Sequence, residues 1–381
     1  NPEEIASSRS SVNDLLSSLD VESILTHLSN QGDTFSSCNH EYTVELSGLA
    51  HIETWRVVDG FFIDTDKRVI DICRNMIQSE EKALPYAGAA WPLDFKRNPD
   101  GRLFCFLPIP AQMDLPIQIN GYFDLDDSRQ NLFLDRSSHG GARLRFDWNK
   151  TLLETSVPKA YVRLLNDIQS DLGTIGIDAY YSTFPKAMEG DSNWESWLTL
   201  AFYEMASTEP LLRCSGESTW CELNVIRSTP PELRAVRDDL VAENFLPIPD
   251  PPIPSKVQNG FEQCGFDVPV LSPTELRTQL YEDQDVDCDV VRAPRACLRN
   301  LDYIREICRY CLSDKPDKDF RKLPLIIDSR GNLRTVGLTE TPLYIATSRW
   351  DIDVFLDHPE WFVDHPCRVH NRKGRWWRPS F

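Results

Sequence analysis

Apolar positions near the start of the chain recur at helical spacing: Val12, Leu15, Leu16 and Leu19, then Ile24, Leu25 and Leu28. That rhythm predicts one or two amphipathic helices within residues 1–37, with Asn30–Ser37 as a turn-like linker. From about Glu41 the period shortens. YTVELSGL and ETWRVVDGFF read as strands, the second alternating through Trp55, Val57 and Phe61. Asp66–Glu80 returns to helical spacing, with Val69, Ile70, Cys73, Met76 and Ile77 on one side. A further β segment starts near Tyr86. Pro99 and Gly101 in RNPDGR mark a turn that predicts a hairpin between AAWPLDF and RLFCFLPI. PIQINGYFDL is one more strand. Asp124, Asp126 and Asp127 after it read as a solvated turn.

Beyond this the pattern is mostly helical. Leu152–Leu172 is amphipathic, and Pro158 should kink or restart it. Asn193–Met205 sets Trp194, Trp197, Leu198, Ala201, Phe202 and Met205 on one face behind an Asp191-Ser192 cap, and Glu232–Glu243 is a further helix. Leu246–Pro254 has five prolines in nine residues and reads as a stiff extended connector. Ser272-Pro273-Thr274-Glu275 opens a short helix with Pro at a tolerated first-turn position. Leu301, Ile304, Ile307, Cys308, Cys311 and Leu312 define a last helix, and LPLIIDSRGNLRTV a last hairpin turning at Arg330-Gly331.

The pattern as a whole predicts an α+β chain: a mixed β-sheet domain with a crossover helix, then a largely helical region and a small C-terminal α/β segment. Expected boundaries are 1–37 for the N-terminal helices and linker, 38–148 for the mixed sheet and 149–245 for the helical region. The Pro-rich connector takes 246–258, and the C-terminal region with its basic aromatic tail takes 259–381.

Composition narrows the function. The 381 residues carry 40 Lys+Arg against 59 Asp+Glu, a net charge of −19. That sign disfavours nucleic acid as a partner, because phosphate neutralisation supplies most non-specific affinity. No run of 18 apolar residues suggests a membrane span. The opening, from Asn1, resembles no targeting peptide, and the chain reads as a segment of something larger. Eleven cysteines are odd in number and sit mostly among apolar neighbours, so they read as small buried hydrophobes in a reducing, cytoplasmic compartment.

Candidate chemistry is sparse. Cys308-x-x-Cys311 with His358, His365, Cys367 and His370 has zinc-ligand types, but spacing of three on an apolar helical face is what core packing produces. Asp328-Ser329-Arg330-Gly331-Asn332 lacks the second glycine of an ATPase Asp-x-Gly-x-Gly loop and reads as a hairpin turn. Ser215-Gly216 lacks the setting of a nucleophile elbow, and no Walker-type run exists. Arg372, Arg375, Trp376 and Trp377 in the basic aromatic end are candidates for partner binding, by stacking on nucleotides or by contact with an acidic protein; the alternative is a tail folded onto the acidic body.

One stretch goes further. Phe104-Cys105-Phe106-Leu107-Pro108, Leu115-Pro116, Asn120-Gly121-Tyr122-Phe123, Leu125 and Ser128-Arg129-Gln130-Asn131-Leu132-Phe133 occur in order, then Asp147-Trp148-Asn149 and Val157-Pro158-Lys159-Ala160-Tyr161-Val162. This ordered set resembles the repeated unit of the sacsin family, with Thr54-Trp55 upstream and Leu323-Pro324-Leu325-Ile326-Ile327 downstream fitting the same unit. In that family the repeat begins with an ATPase-like module similar to heat-shock protein 90 chaperones, and a middle segment comes after it. This chain shows no Asn-box helix and no Asp-x-Gly-x-Gly loop. The resemblance therefore implies a non-catalytic middle region of a chaperone or co-chaperone, with no cofactor of its own and with ATP and Mg held by an upstream module. Its implied partners are that module and protein clients. It also implies a nucleotide-sensing role for Arg129, with Gln130 and Asn120 beside it, since a middle-domain basic residue of related ATPases reaches the γ-phosphate. The family's Arg-Arg pair is Arg129-Gln130 here, and pairing of Arg129 with Asp126 or Asp127 in its own loop is the structural alternative. An interaction scaffold with no nucleotide link is the competing function. A metal-dependent or nucleic-acid-acting enzyme is a third reading, which the scattered carboxylates disfavour.

Overall fold

The computed structural model describes residues 21–46, 49–64, 67–93, 101–135, 139–186, 194–215, 220–243, 246–282, 296–298 and 300–314, and the short strands at 326–327, 333–334, 344–345 and 362–363. The expected helix through Val12–Leu19, the Asp191-Ser192 cap, the tip of the Arg330-Gly331 turn and the tail with Arg372, Arg375, Trp376 and Trp377 lie outside the described residues. So do His358, His365, Cys367 and His370. The chain forms two compact units. The first is residues 1–212, 222–224 and 253–268; the second is 213–221, 225–252 and 269–381.

The first unit is built on a six-stranded mixed sheet, which gives the expected α+β class. Helix α1 (Val21–Gln31) buries Ile24, Leu25 and Leu28. It leads within three residues into strand β1 (Thr34–Leu46), so Thr34–Ser37 are strand and not the expected linker. Strand β2 (Leu49–Phe61) pairs antiparallel with β1 along its whole length. Helix α2 (Arg68–Gln78) forms where the 66–80 spacing predicts a helix, but it joins adjacent antiparallel strands and so is not the crossover expected there. After it come strands β3 (Tyr86–Pro92), β4 (Arg102–Cys105), β5 (Leu107–Gln112) and β6 (Gln118–Gly121).

The strand order is β1-β2-β3-β6-β4-β5. The hairpin expected between AAWPLDF and RLFCFLPI does not form. β3 already has β2 on one edge and β6 on the other, both antiparallel, so no edge is left for β4. β4 instead runs parallel to β6, with Leu103 opposite Ile119. RLFCFLPI is itself folded back: β4 and β5 pair Cys105 with Leu107 and turn on Phe106, whose φ is 59°.

One face of this sheet carries the core. Val58, Ala87, Ala89, Trp91, Leu103 and Ile119 are buried on it. Helices α3 (Gly141–Glu154) and α4 (Ser156–Ile168) come after the strands, with a break at Thr155 that places Pro158 in the first turn of α4, as the proline predicts. α4 packs on β2 and β3 and buries Val157, Ala160, Tyr161, Leu164, Leu165 and Ile168. The small side chains of Ala87 and Ala89 admit it closely. Short helices α5 (Leu172–Ile175) and α6 (Ile177–Ser182) lead to α7 (Trp194–Ala206), which packs on α3 and α4; Tyr161 and Phe202 meet with ring centroids 4.6 Å apart. Helices α3, α4 and α7 thus share one core with the six-stranded sheet.

The second unit includes strand β8 (Trp220–Cys221), paired with β7 (Leu212–Arg213), and helix α8 (Arg237–Glu243) behind a 3-10 turn at Pro231–Val236. Helix α9 (Ser255–Gln263) belongs to the first unit. Helices α10 (Pro273–Glu282) and α11 (Leu301–Cys311) complete the second core with Leu233, Val236, Leu240, Leu271, Leu276, Ile304, Ile307 and Cys311. Ser272 and Glu275 form a reciprocal capping box: Ser272 N and Oγ donate to Glu275 at 2.9 and 2.8 Å, and Glu275 N donates back at 3.2 Å. Leu246 and Ile248 are buried in this core, so the Pro-rich stretch, expected as a stiff extended connector, begins as a packed strap. Strands β9 (Ile326–Ile327) and β10 (Leu333–Arg334) pair antiparallel, as the last hairpin predicts, and β11 (Tyr344–Ile345) pairs parallel with β12 (Phe362–Val363).

Candidate arginine-presenting loop

Immediately after β6 the chain leaves the sheet and doubles back over residues 122–133, with a single bridge between Leu125 and Leu132. Helix α3 clamps this excursion from one side. Trp148 Nε1 donates to the Tyr122 carbonyl at 2.8 Å. Asn149, fully buried, accepts from Asp124 N at 2.8 Å and donates to the carbonyls of Asp124 and Phe133 at 2.7 and 3.0 Å. Both strands of the excursion are therefore held by one amide, which satisfies backbone groups that leave the sheet ladder. Arg145 grips the Asp124 carboxylate and lies over the Phe133 ring, 4.2 Å from its centroid. Its hydrogen bonds with Asp124 push the Arg145 pKa further up, so this cation is fixed in charge and place. Asp124 is accordingly an ion-paired anchor, and the expected solvated turn begins only beyond Leu125.

The tip is organised by Asp126. Its Oδ1 accepts from Ser128 Oγ at 2.8 Å and from Gln130 N at 3.0 Å, and Asn131 Nδ2 reaches Oδ2 at 3.4 Å. These bonds, Ser128 first, hold the Asp126 carboxyl below the usual carboxylate range. Arg129 N donates to the Asp126 carbonyl at 2.9 Å, and Arg129 itself takes a left-handed backbone, φ 55°. A non-glycine residue there costs on the order of 1 kcal/mol, offset by the surrounding bonds. The Asp126 oxygens are engaged with Ser128, Gln130 and Asn131, and among the described residues the Arg129 guanidinium makes no ion pair. The expected alternative, Arg129 neutralised by Asp126 or Asp127, is not what the loop does. Arg129 and Gln130 stand exposed together at the tip.

Asn120 is set apart from them. On β6 its Oδ1 accepts from Phe106 N at 3.0 Å, and it also hydrogen-bonds the Tyr86 hydroxyl. Tyr86 Oη in turn donates to Asp59 at 3.3 Å, and Ser36 Oγ to the same carboxylate at 2.6 Å. A polar row thus crosses the second face of the sheet, and burial pushes the Tyr86 pKa up. Phe106 stacks on Tyr86 at 5.8 Å and meets Tyr122 edge-on at 5.6 Å, while Phe106 and Leu107 remain 59% and 75% exposed. The Phe104–Pro108 motif thus forms the neighbouring turn, and Cys105 Sγ donates to the Phe123 carbonyl at 3.3 Å.

The clamp residues Arg145, Trp148 and Asn149 carry roles that sequence reasoning did not assign. Their spacing over one turn of α3, facing a loop rather than the core, is visible only once the loop is placed. Cys308 and Cys311 lie on the apolar face of α11, as core spacing predicts, and burial pushes the Cys311 thiol up to about 12. Among the described residues no group of three or more His, Cys, Asp or Glu is placed to hold a metal ion, and no helix is long and apolar enough to cross a membrane.

Comparison with known proteins agrees with the resemblance over part of the chain. A human protein named Sacsin is 38% identical over 126 residues, which make up 32% of this chain and 3% of that protein. No family model matches the chain, and no solved structure matches it.

Proposed function

We propose that this chain is the non-catalytic middle region of a sacsin-like, cytoplasmic chaperone or co-chaperone. It couples an ATPase-like module, placed ahead of it and holding ATP and Mg, to protein clients or partners. The observation that carries this reading is the state of Arg129: strained into a left-handed backbone, exposed, free of any carboxylate among the described residues, and presented by a loop that α3 clamps at both ends. A fixed guanidinium of this kind suits a polyphosphate oxygen, where planar bidentate bonding adds both energy and direction. Gln130 beside it is neutral, so the tip offers one cation where the family's pair offers two.

Two measurements test the reading. The isolated chain neither binds nor hydrolyses ATP. In a polypeptide carrying the ATPase-like module ahead of this chain, ATP drives association of the two parts, and Arg129→Ala weakens it. ATP turnover by the isolated chain, or an Arg129→Ala variant with unchanged ATP response, overturns it and leaves the interaction scaffold.

A further inference from the structure

In the second unit Cys214 directly follows β7 and Cys221 lies on the paired strand β8, which brings the two cysteines to the same end of one short hairpin with six residues between them. The two positions differ. Cys214 is buried, 3% exposed, and Cys221 is partly open to solvent. Cys214 also sits where backbone order is dense. It bridges to Pro249; Ser215 N donates to the Ile248 carbonyl at 2.8 Å, Ser215 Oγ to the Leu246 carbonyl at 3.1 Å, and Asp250 N to the Arg213 carbonyl at 3.1 Å. The packed strap 246–250 therefore leans on the Cys214 segment, and β8 places Cys221 beside it.

We propose that Cys214 and Cys221 form a reversible disulfide, with a low-molecular-weight disulfide such as glutathione disulfide as the oxidant. Cys221, the accessible thiol, attacks as thiolate. It forms a mixed disulfide with one glutathione and expels the other as thiolate. Cys214 then gives up its proton and attacks the Cys221 sulfur, forming the internal bond and expelling the second glutathione as thiolate. Two protein thiols are oxidised, one small disulfide is reduced to two thiols, and the two protein protons end on the two glutathione molecules. Cys214 is closed to solvent and Cys221 is not, which fits the order of attack, and burial, with Cys221 beside it second, pushes the Cys214 thiol up. The product ties β8 to the segment that braces the Pro-rich strap, a covalent lock at the edge of the second core.

Trypsin releases both sulfurs in one peptide, Cys214–Arg227, since Arg213 precedes it. The whole chain is incubated with glutathione disulfide, alkylated, digested and weighed. The expected result is loss of both alkylation sites from this peptide together with two hydrogens, reversed by a thiol reductant. In Cys214→Ser, Cys221 accumulates as the glutathione adduct; in Cys221→Ser, Cys214 stays a thiol. A wild-type peptide still alkylated twice, one carrying only the glutathione adduct, or either sulfur bonded to a different cysteine overturns the proposal, and the wild-type result decides this whether or not the variants fold.

Discussion

The Arg145 guanidinium holds the Asp124 carboxylate through two hydrogen bonds, at 2.9 and 2.8 Å, and reaches on to the Leu125 carbonyl at 2.8 Å. Both side chains are largely shielded, at 23% and 17% exposed. Arg145→Ala therefore removes a charge-assisted pair together with ring packing on Phe133. The expected cost is about 1–2 kcal/mol, read as a lower midpoint in urea denaturation. The same variant should increase proteolytic cutting after Arg129, since the loop loses one of its anchors.

Asn149→Ala is expected to cost more. It orphans the Asp124 amide and the carbonyls of Asp124 and Phe133 in a site closed to water. At about 1–3 kcal/mol for each buried group left unmade, partly recovered by relaxation, the expected loss is roughly 2–4 kcal/mol. Asn149→Asp keeps the acceptor for Asp124 N but loses both donations, so it should not rescue. Thermal denaturation of the three proteins checks the ranking.

Glu195 gives a pH signature. On α7 it is almost fully buried, and its Oε1 accepts from Asp114 N at 3.3 Å. Burial, the largest influence, raises its pKa above the ordinary carboxylate value. A carboxyl with a raised folded pKa stabilises the fold while both states are protonated, and that contribution is lost as pH rises through the folded value. Glu195→Gln should therefore raise stability at neutral pH and change it little at about pH 4, near the unfolded value. Denaturation at the two pH values would expose the opposite sign.

Lys256 titrates the other way. It donates to the Ser182 carbonyl at 3.1 Å, and burial, with Lys186 second, lowers its pKa to about 8. The folded state therefore binds this proton less well than the unfolded chain. Stability from this group is present above the ordinary lysine value and falls as pH drops towards about 8. Lys256→Met should remove that slope, and guanidinium midpoints between neutral pH and about pH 10 measure it.

The order of helices and strands was largely legible in the chain, because Val69–Ile77, Leu152–Leu172 and Leu301–Leu312 keep helical spacing and Pro158 and Ser272-Pro273 punctuate it. Strand order was not. The Pro99-Gly101 cue is local, whereas the insertion of β6 between β3 and β4 depends on both edges of β3 being taken, which no local pattern reports. The single-residue turn at Phe106 was hidden for a related reason: an apolar residue at φ 59° breaks the rule that such turns use glycine. At the candidate site, Arg129 could be singled out by resemblance, but its freedom from Asp126 and Asp127 could not. That freedom comes from Ser128, Gln130 and Asn131 competing for one carboxylate, an outcome of loop geometry.

The most direct measurement is the ATP-dependent gain in association between the ATPase-like module and this chain, within one polypeptide, for the wild type and for Arg129→Ala. Loss of a charge-assisted bond to phosphate, about 1.5–3 kcal/mol, predicts roughly a ten- to hundredfold smaller gain, with association in the absence of ATP unchanged. An equal gain in both proteins would contradict a phosphate-sensing role for Arg129.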